Sequence, residues 1–228
     1  MSIKNNYIEL KVSDTTLMQA YLARPEDPGP HPGIIIFQEA FGVNAYIRDI
    51  AGRFAPELFH RTGPGFEGSY TDFPGTQVHL SKLTDQTLES DVRAAYGWLA
   101  ADPRTDAERI AAIGFCMGGR VSFLANSIVP LRAAVSFYGG GIAPAMLGRA
   151  GSLRAPMLFF WGGLDTHIGP EQTRTVEEAL RAAGREFTAV TFSYADHGFF
   201  CDQRANYSEK ASRQAWPMTL EFLQDHML

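Results

Sequence analysis

Cys116 lies in Gly114-Phe115-Cys116-Met117-Gly118, a glycine, x, nucleophile, x, glycine spacing with cysteine at its centre. Where a strand turns sharply into a helix, the central residue is forced into strained backbone geometry, and small residues two positions either side let the chain pass without a Cβ clash. The side chain then stands at the C-terminal edge of a sheet, at a helix N-terminus whose dipole favours a thiolate. The amide of Met117 is left to donate to a developing oxyanion. A buried structural cysteine followed by a glycine-rich packing turn is the alternative. Thiol chemistry of this kind needs a base and an acid that orients it. Asp165 in "GGLDTHIGP" and His197 in "ADHGFF" each follow a strand-like apolar run, so three reactive residue types fall at three strand ends in the order nucleophile, acid, histidine. Taken singly, Asp165 reads as a turn acid and His197 as a surface or packed ring. His167 lies two residues from Asp165, too close to be oriented by it easily, and ranks below His197. Glu39 in "IIIFQEAFG" sits just past a fully apolar run. A carboxylate there is costly unless paired. It reads either as half of a salt bridge holding its loop, or as a group that interacts with the Cys116 thiol and with a cation that moves when substrate binds.

Those residues meet only if their strands end side by side. "YIELKV" and "TLMQAYLARP", separated by "SDT", read as an opening antiparallel hairpin. "GIIIF", "RIAAIGF" and "APMLFFW" are continuous apolar runs, the pattern of strands buried on both faces in a parallel sheet, with "AAVSFY" and "FTAVTFSY" as further strands. Helical spacing recurs between them: Leu88, Val92, Ala95 and Leu99; Val121, Leu124, Ala125 and Ile128; and "PEQTRTVEEALRAAG", which opens on proline and stops at Gly184. The expectation is one α/β domain over residues 1–228, with a mostly parallel central sheet, helices on both faces and the N-terminal hairpin. Two places resist this scheme. "NAYIRDIAGRFA" (44–55) has the look of a helix that should feed a buried strand, yet it runs straight into "PELFHRTGPGFEGSY", which has no apolar run. Pro217 falls inside the apparent C-terminal helix, where it should kink the helix or mark a restart.

The chain has 228 residues, 45% hydrophobic and 20% charged, with a formal net charge of −5. That balance is unlike the basic surface that phosphate backbones attract, so no nucleic-acid partner is expected. No run approaches the roughly 20 apolar residues of a membrane span, and the N-terminus lacks a signal-like stretch; a cytoplasmic protein without membrane attachment is expected. Two cysteines, Cys116 and Cys201, then stay as free thiols. The six histidines show no H-x-x-x-H spacing and there is no cysteine cluster, so neither metal nor other cofactor is expected.

With "FQEAFG", "PELFHRTGPGFE", "GFCMGGR", "SFYGG", "GGLD" and "DHGFF" in that order over nearly the whole chain, the sequence resembles the dienelactone hydrolase family of α/β-hydrolases, the carboxymethylenebutenolidase-like enzymes. The resemblance implies the α/β-hydrolase fold and a hydrolase opening a small lactone or enol ester through an acyl-cysteine intermediate, as a monomer or homodimer. It implies Cys116 as nucleophile, His197 as acid and base, Asp165 as its orienter and Glu39 as activator, with the amides of Met117 and Ala40 as oxyanion hole. Arg204 falls where one substrate-carboxylate arginine belongs, although a loop acid such as Asp202 is an alternative partner for it. No arginine occurs from 62 to 92, where a second would be expected; Lys82 is the only lysine or arginine there, and Arg61 and Tyr70 are the candidates to line the pocket instead. Roughly eight residues, carrying a central strand, are missing before "PELF" relative to the family pattern, judged from ordinary strand lengths; either the strand is truly lost, which would remove a central ladder, or residues are omitted from the sequence, the favoured explanation. Two other functions stay open: a broad carboxylesterase acting on neutral esters, and a non-catalytic module whose thiol senses oxidants or binds a ligand.

Overall fold

A computed structural model describes residues 2–51 and 54–228. Eight strands form one sheet: β1 (Ile3–Lys11), β2 (Leu17–Pro25), β3 (His31–Phe37), β4 (Phe54–Pro56), β5 (Thr105–Phe115), β6 (Ala133–Phe137), β7 (Met157–Gly162) and β8 (Phe187–Phe192), in the order β1-β2-β4-β3-β5-β6-β7-β8. The hairpin β1–β2 is antiparallel and β2 meets β4 antiparallel, while every pair from β4 to β8 is parallel. Ile110–Phe115 and all of β6 and β7 are buried residue after residue. Consecutive side chains point to opposite faces, so unbroken burial means that both faces are covered. The helices of the described residues are α1 (Ala45–Ala51), α2 (Phe73–Leu80), α3 (Asp85–Ala101), α4 (Met117–Ile128), α5 (Pro170–Ala182) and α6 (Glu209–Met227). Among them, α3 and α4 touch each other and pack on β3 and β5, while α6 packs on β5, β6 and β7. The parallel α/β sheet with its hairpin is as the sequence pattern implies. Among the described residues no helix is long and apolar enough to cross a membrane.

The strand thought to be missing is present in three residues. Phe54, Ala55 and Pro56 are fully buried between β2 and β3, Phe54 stacks on Trp98 of α3 with ring centroids 5.5 Å apart, and Glu57 N–H extends the ladder to Gln19 O at 2.8 Å. One large ring supplies the packing that a longer apolar run would give, and the proline sits at the strand's end, where its absent N–H matters least. The helix expected over 44–55 is shorter, ending at Ala51; its part over Gly52 and Arg53 lies outside the described residues. The C-terminal helix does not restart at Pro217: α6 is continuous through it. Pro217 and Arg213, whose carbonyl loses its donor, are both on the exposed face, where water can replace the lost bond.

Candidate active site

At the end of β5 the chain reverses into α4 through Cys116, which has φ 53° and ψ −115°. A non-glycine residue in that region carries strain of order 1–3 kcal/mol, held in place by its surroundings. Those surroundings are tight. A Cβ on Gly114 would fall 1.8 Å from Gly118 O, and one on Gly118 would fall 2.1 Å from Phe37 O at the end of β3. Glycine at both positions lets the first turn of α4 press against β3, which brings Cys116 beside the loop Gln38-Glu39-Ala40. The Cys116 N–H donates to Phe137 O at 3.0 Å, fixing the turn to the end of β6. Neither the Met117 nor the Ala40 N–H has a backbone acceptor outside regular helix and strand bonding among the described residues, and Met117, as the first residue of α4, has no intrahelical one.

Cys116 Sγ lies 3.0 Å from His197 Nε2, and His197 Nδ1 lies 2.7 Å from Asp165 Oδ2. The second oxygen of Asp165 accepts from the backbone N–H groups of His167 (2.8 Å) and Ile168 (3.0 Å), so the carboxylate is clamped on both sides. Burial works to raise the Asp165 pKa, but the His197 bond and charge and these two amides hold it below the ordinary value. For His197 burial pulls downward; the charge of Cys116 and the Asp165 bond prevail and push it up to about 10. A buried imidazole between a sulfur and a carboxylate thus keeps its proton more readily than a free one.

Glu39 is fully buried beside this array. Arg204 Nη1 donates to its Oε1 at 3.4 Å, and its Oε2 has no partner. Burial raises the Glu39 pKa and outweighs the opposing charges of Arg204 and His197. Arg204 lies over the rings of Phe41 and Tyr70, 5.7 and 6.0 Å from their centroids. It reaches Glu39 across Gly198, whose φ is +75° and whose missing Cβ would stand 2.3 Å from Arg204 Nη1.

A family model described as the dienelactone hydrolase family matches residues 18–227. The chain belongs to the dienelactone hydrolase family. A Synechocystis sp. protein named "Putative carboxymethylenebutenolidase" is 35% identical over 226 residues, covering 91% of each chain. A Bradyrhizobium sp. protein named "Probable 2-oxo-3-(5-oxofuran-2-ylidene)propanoate lactonase" is 28% identical over 91% of this chain and 89% of its own. The crystal structure of a Klebsiella pneumoniae protein described as "Putative Dienelactone Hydrolase" superposes with a TM-score of 0.89 at 32% identity, covering 98% of this chain and 99% of that one.

In this dienelactone hydrolase family member the structure brings together Cys116, His197, Asp165, Glu39 and Arg204, with Tyr70 at the edge, its hydroxyl accepting from Asn44 Nδ2 at 2.9 Å. Glu39 is bonded to Arg204 and not to the thiol, whose partner is His197, and Arg204 pairs with Glu39 and not with Asp202. Arg61 is not brought to this cluster: its guanidinium makes two bonds to the fully buried Asp91 (2.8 and 2.7 Å) and a third to Asp14 (2.6 Å), tying α3 to the β1–β2 turn. Sequence reasoning gave no role to Tyr138, which follows β6 in "SFYGG". It is fully buried with φ +39°, its ring is edge-on to His197 at 5.2 Å, and its hydroxyl is unpartnered. Tyrosine directly ahead of a glycine run at a strand's end was the available signal.

Proposed function

We propose that the protein hydrolyses a small lactone or enol ester by nucleophilic attack of the Cys116 thiolate, and that the preferred substrate carries a carboxylate. The supporting observation is the unbroken array from Cys116 Sγ through His197 to Asp165, at 3.0 and 2.7 Å. In this reading the thiolate attacks the acyl carbon, and the oxyanion is received by the Met117 and Ala40 amides. The C–O bond then breaks as His197 gives its proton to the leaving oxygen. Water, deprotonated by His197, attacks the acyl-cysteine and releases the acid and the thiolate. Asp165 keeps the imidazole oriented and stabilises its cation throughout.

The Glu39–Arg204 pair supplies the link to an acidic substrate. Arg204 lowers the proton affinity of a carboxyl that burial raises. A substrate carboxylate that draws Arg204 toward itself removes that restraint, leaving Glu39 a stronger base able to collect the thiol proton. Glu39→Gln keeps the volume and removes the base, so turnover of an acidic lactone should fall well below that of wild type; unaltered turnover refutes this role. The nucleophile is tested by mixing enzyme with a panel of lactones, quenching in acid and measuring intact mass. An acyl adduct on Cys116 that disappears in Cys116→Ala supports the reading; undiminished turnover by Cys116→Ala overturns it.

A further inference from the structure

His167 contributes twice at this site. Its backbone N–H clamps Asp165, and its ring packs edge-to-face on the His197 ring, with centroids 5.5 Å apart and planes at 78°. His197 is buried with both ring nitrogens taken, by Cys116 and Asp165. His167 is exposed, and neither of its ring nitrogens has a hydrogen-bond or ion-pair partner among the described residues. The His31, His60 and His79 rings all have one, while His226, likewise without one among the described residues, is far along the chain in the last turn of α6, edge-on to Phe222. An open imidazole is therefore held against the reacting imidazole on its solvent side. Arg204, beside Glu39, is already committed to that carboxylate, and Arg61 to Asp14 and Asp91. An acidic substrate that recruits Arg204 with one oxygen leaves the rest of its polar end without a donor.

We propose that the His167 imidazole is a substrate-contacting group that sets charge selectivity: a ring N–H donates to the acidic substituent of the substrate where it emerges beside His197. An imidazole carries at least one N–H donor whether neutral or protonated, so the contact does not require a charged ring. It rests on the proposed hydrolysis of acidic lactones and adds the residue that selects them. His167 enters no bond-making step, so its loss is felt in binding more than in turnover.

The experiment compares wild type, His167→Ala, His167→Gln and Cys116→Ala on a carboxylate-bearing enol lactone and on neutral p-nitrophenyl acetate. Both His167 variants keep the backbone amide that clamps Asp165. A hydrogen bond to a charged group is strong enough that its loss should raise KM for the acidic lactone about tenfold or more in His167→Ala. On the neutral ester, which offers the ring no acidic group, the loss should be several-fold smaller, so the ratio of the two rates falls. His167→Gln, which retains a donor, should recover part of the loss. Equal losses on both substrates would assign His167 a merely structural role and overturn the proposal, as would no change on either. Wild type that cleaves the neutral ester but not the acidic lactone removes the acidic-substrate reading and this proposal together. Wild type selective for the acidic lactone, with indifferent His167 variants, removes the proposal alone.

Discussion

Gly118→Ala tests how the elbow is coupled to the neighbouring strand. The added Cβ would stand 2.1 Å from Phe37 O, 2.5 Å from Phe37 C and 2.6 Å from Gln38 O, all backbone atoms that cannot rotate away. Real Cβ contacts essentially never fall below 3.0 Å, so α4 and the end of β3 must part by close to 1 Å. The two sides of that gap carry Cys116 and Met117 on one hand, Glu39 and Ala40 on the other. A misplacement of about 1 Å costs roughly a hundredfold in rate, while overpacking costs about 1–3 kcal/mol of stability. For a chain of this length that corresponds to a fall in Tm of roughly 2–12 °C. Initial rates on p-nitrophenyl acetate and thermal unfolding by circular dichroism, at one pH, measure both. Gly97→Ala is the control: within α3 a Cβ at that position meets nothing within 4 Å, so it should gain about 1 kcal/mol at unchanged rate. A Gly118→Ala protein with a lowered Tm but wild-type kcat/KM would refute the coupling of the β3 loop to catalysis.

Cys116→Ala removes the charge that most strengthens the hold of His197 on its proton, so the imidazole, up at about 10 in the intact site, should titrate lower; NMR of its ring proton reads this, and an unmoved value contradicts the assignment. Because the folded value lies above the unfolded 6.5, protonated His197 contributes stability that is complete below pH 6.5 and lost as pH rises through about 10, a window the variant should narrow. Arg61→Leu leaves the buried Asp91 without its counter-charge and should cost about 3–5 kcal/mol in urea unfolding, with little change in kcat for the molecules that remain folded. Burial already raises Asp91 to about 6 against the pull of Arg61. Its contribution is therefore fully present below the unfolded 3.8 and lost as pH rises through about 6; without Arg61 that loss deepens, so the variant's deficit should be larger at pH 8 than at pH 5. Equal deficits at the two pH values would count against a charge origin.

The residues of the candidate site were legible because each follows an apolar run whose end the sequence marks: Phe115 before Cys116, Trp161-Gly162 before the Asp165 turn, Phe192 before the loop of His197. A parallel sheet gathers such ends along one edge. What escaped depends on contacts across distant elements. The strand Phe54–Pro56 is too short to show a period, and its stability comes from Trp98 and from β2. Arg61 finds Asp14 and Asp91 at separations of 47 and 30 residues, so nothing in its neighbourhood marks it as a brace. Glu39 was recognised as needing a partner because burying a carboxylate is costly. Which partner it takes, Arg204 or the thiol, is decided by side-chain reach over Gly198 and has no local signature.

Gly198 gives that reach a wider consequence. The guanidinium of Arg204 occupies the space a side chain at 198 would fill, and the obstructed atom is the far end of a flexible arm, so a methyl group there would turn the arm aside, with a backbone cost of about 1–2 kcal/mol for a Cβ at φ +75°. Glu39 would then lose its counter-ion while every charged residue in the cleft stayed the same. An enzyme's preference among acidic and neutral esters can therefore drift during evolution through an uncharged position next to its histidine, and a comparison restricted to ionisable residues would overlook the change.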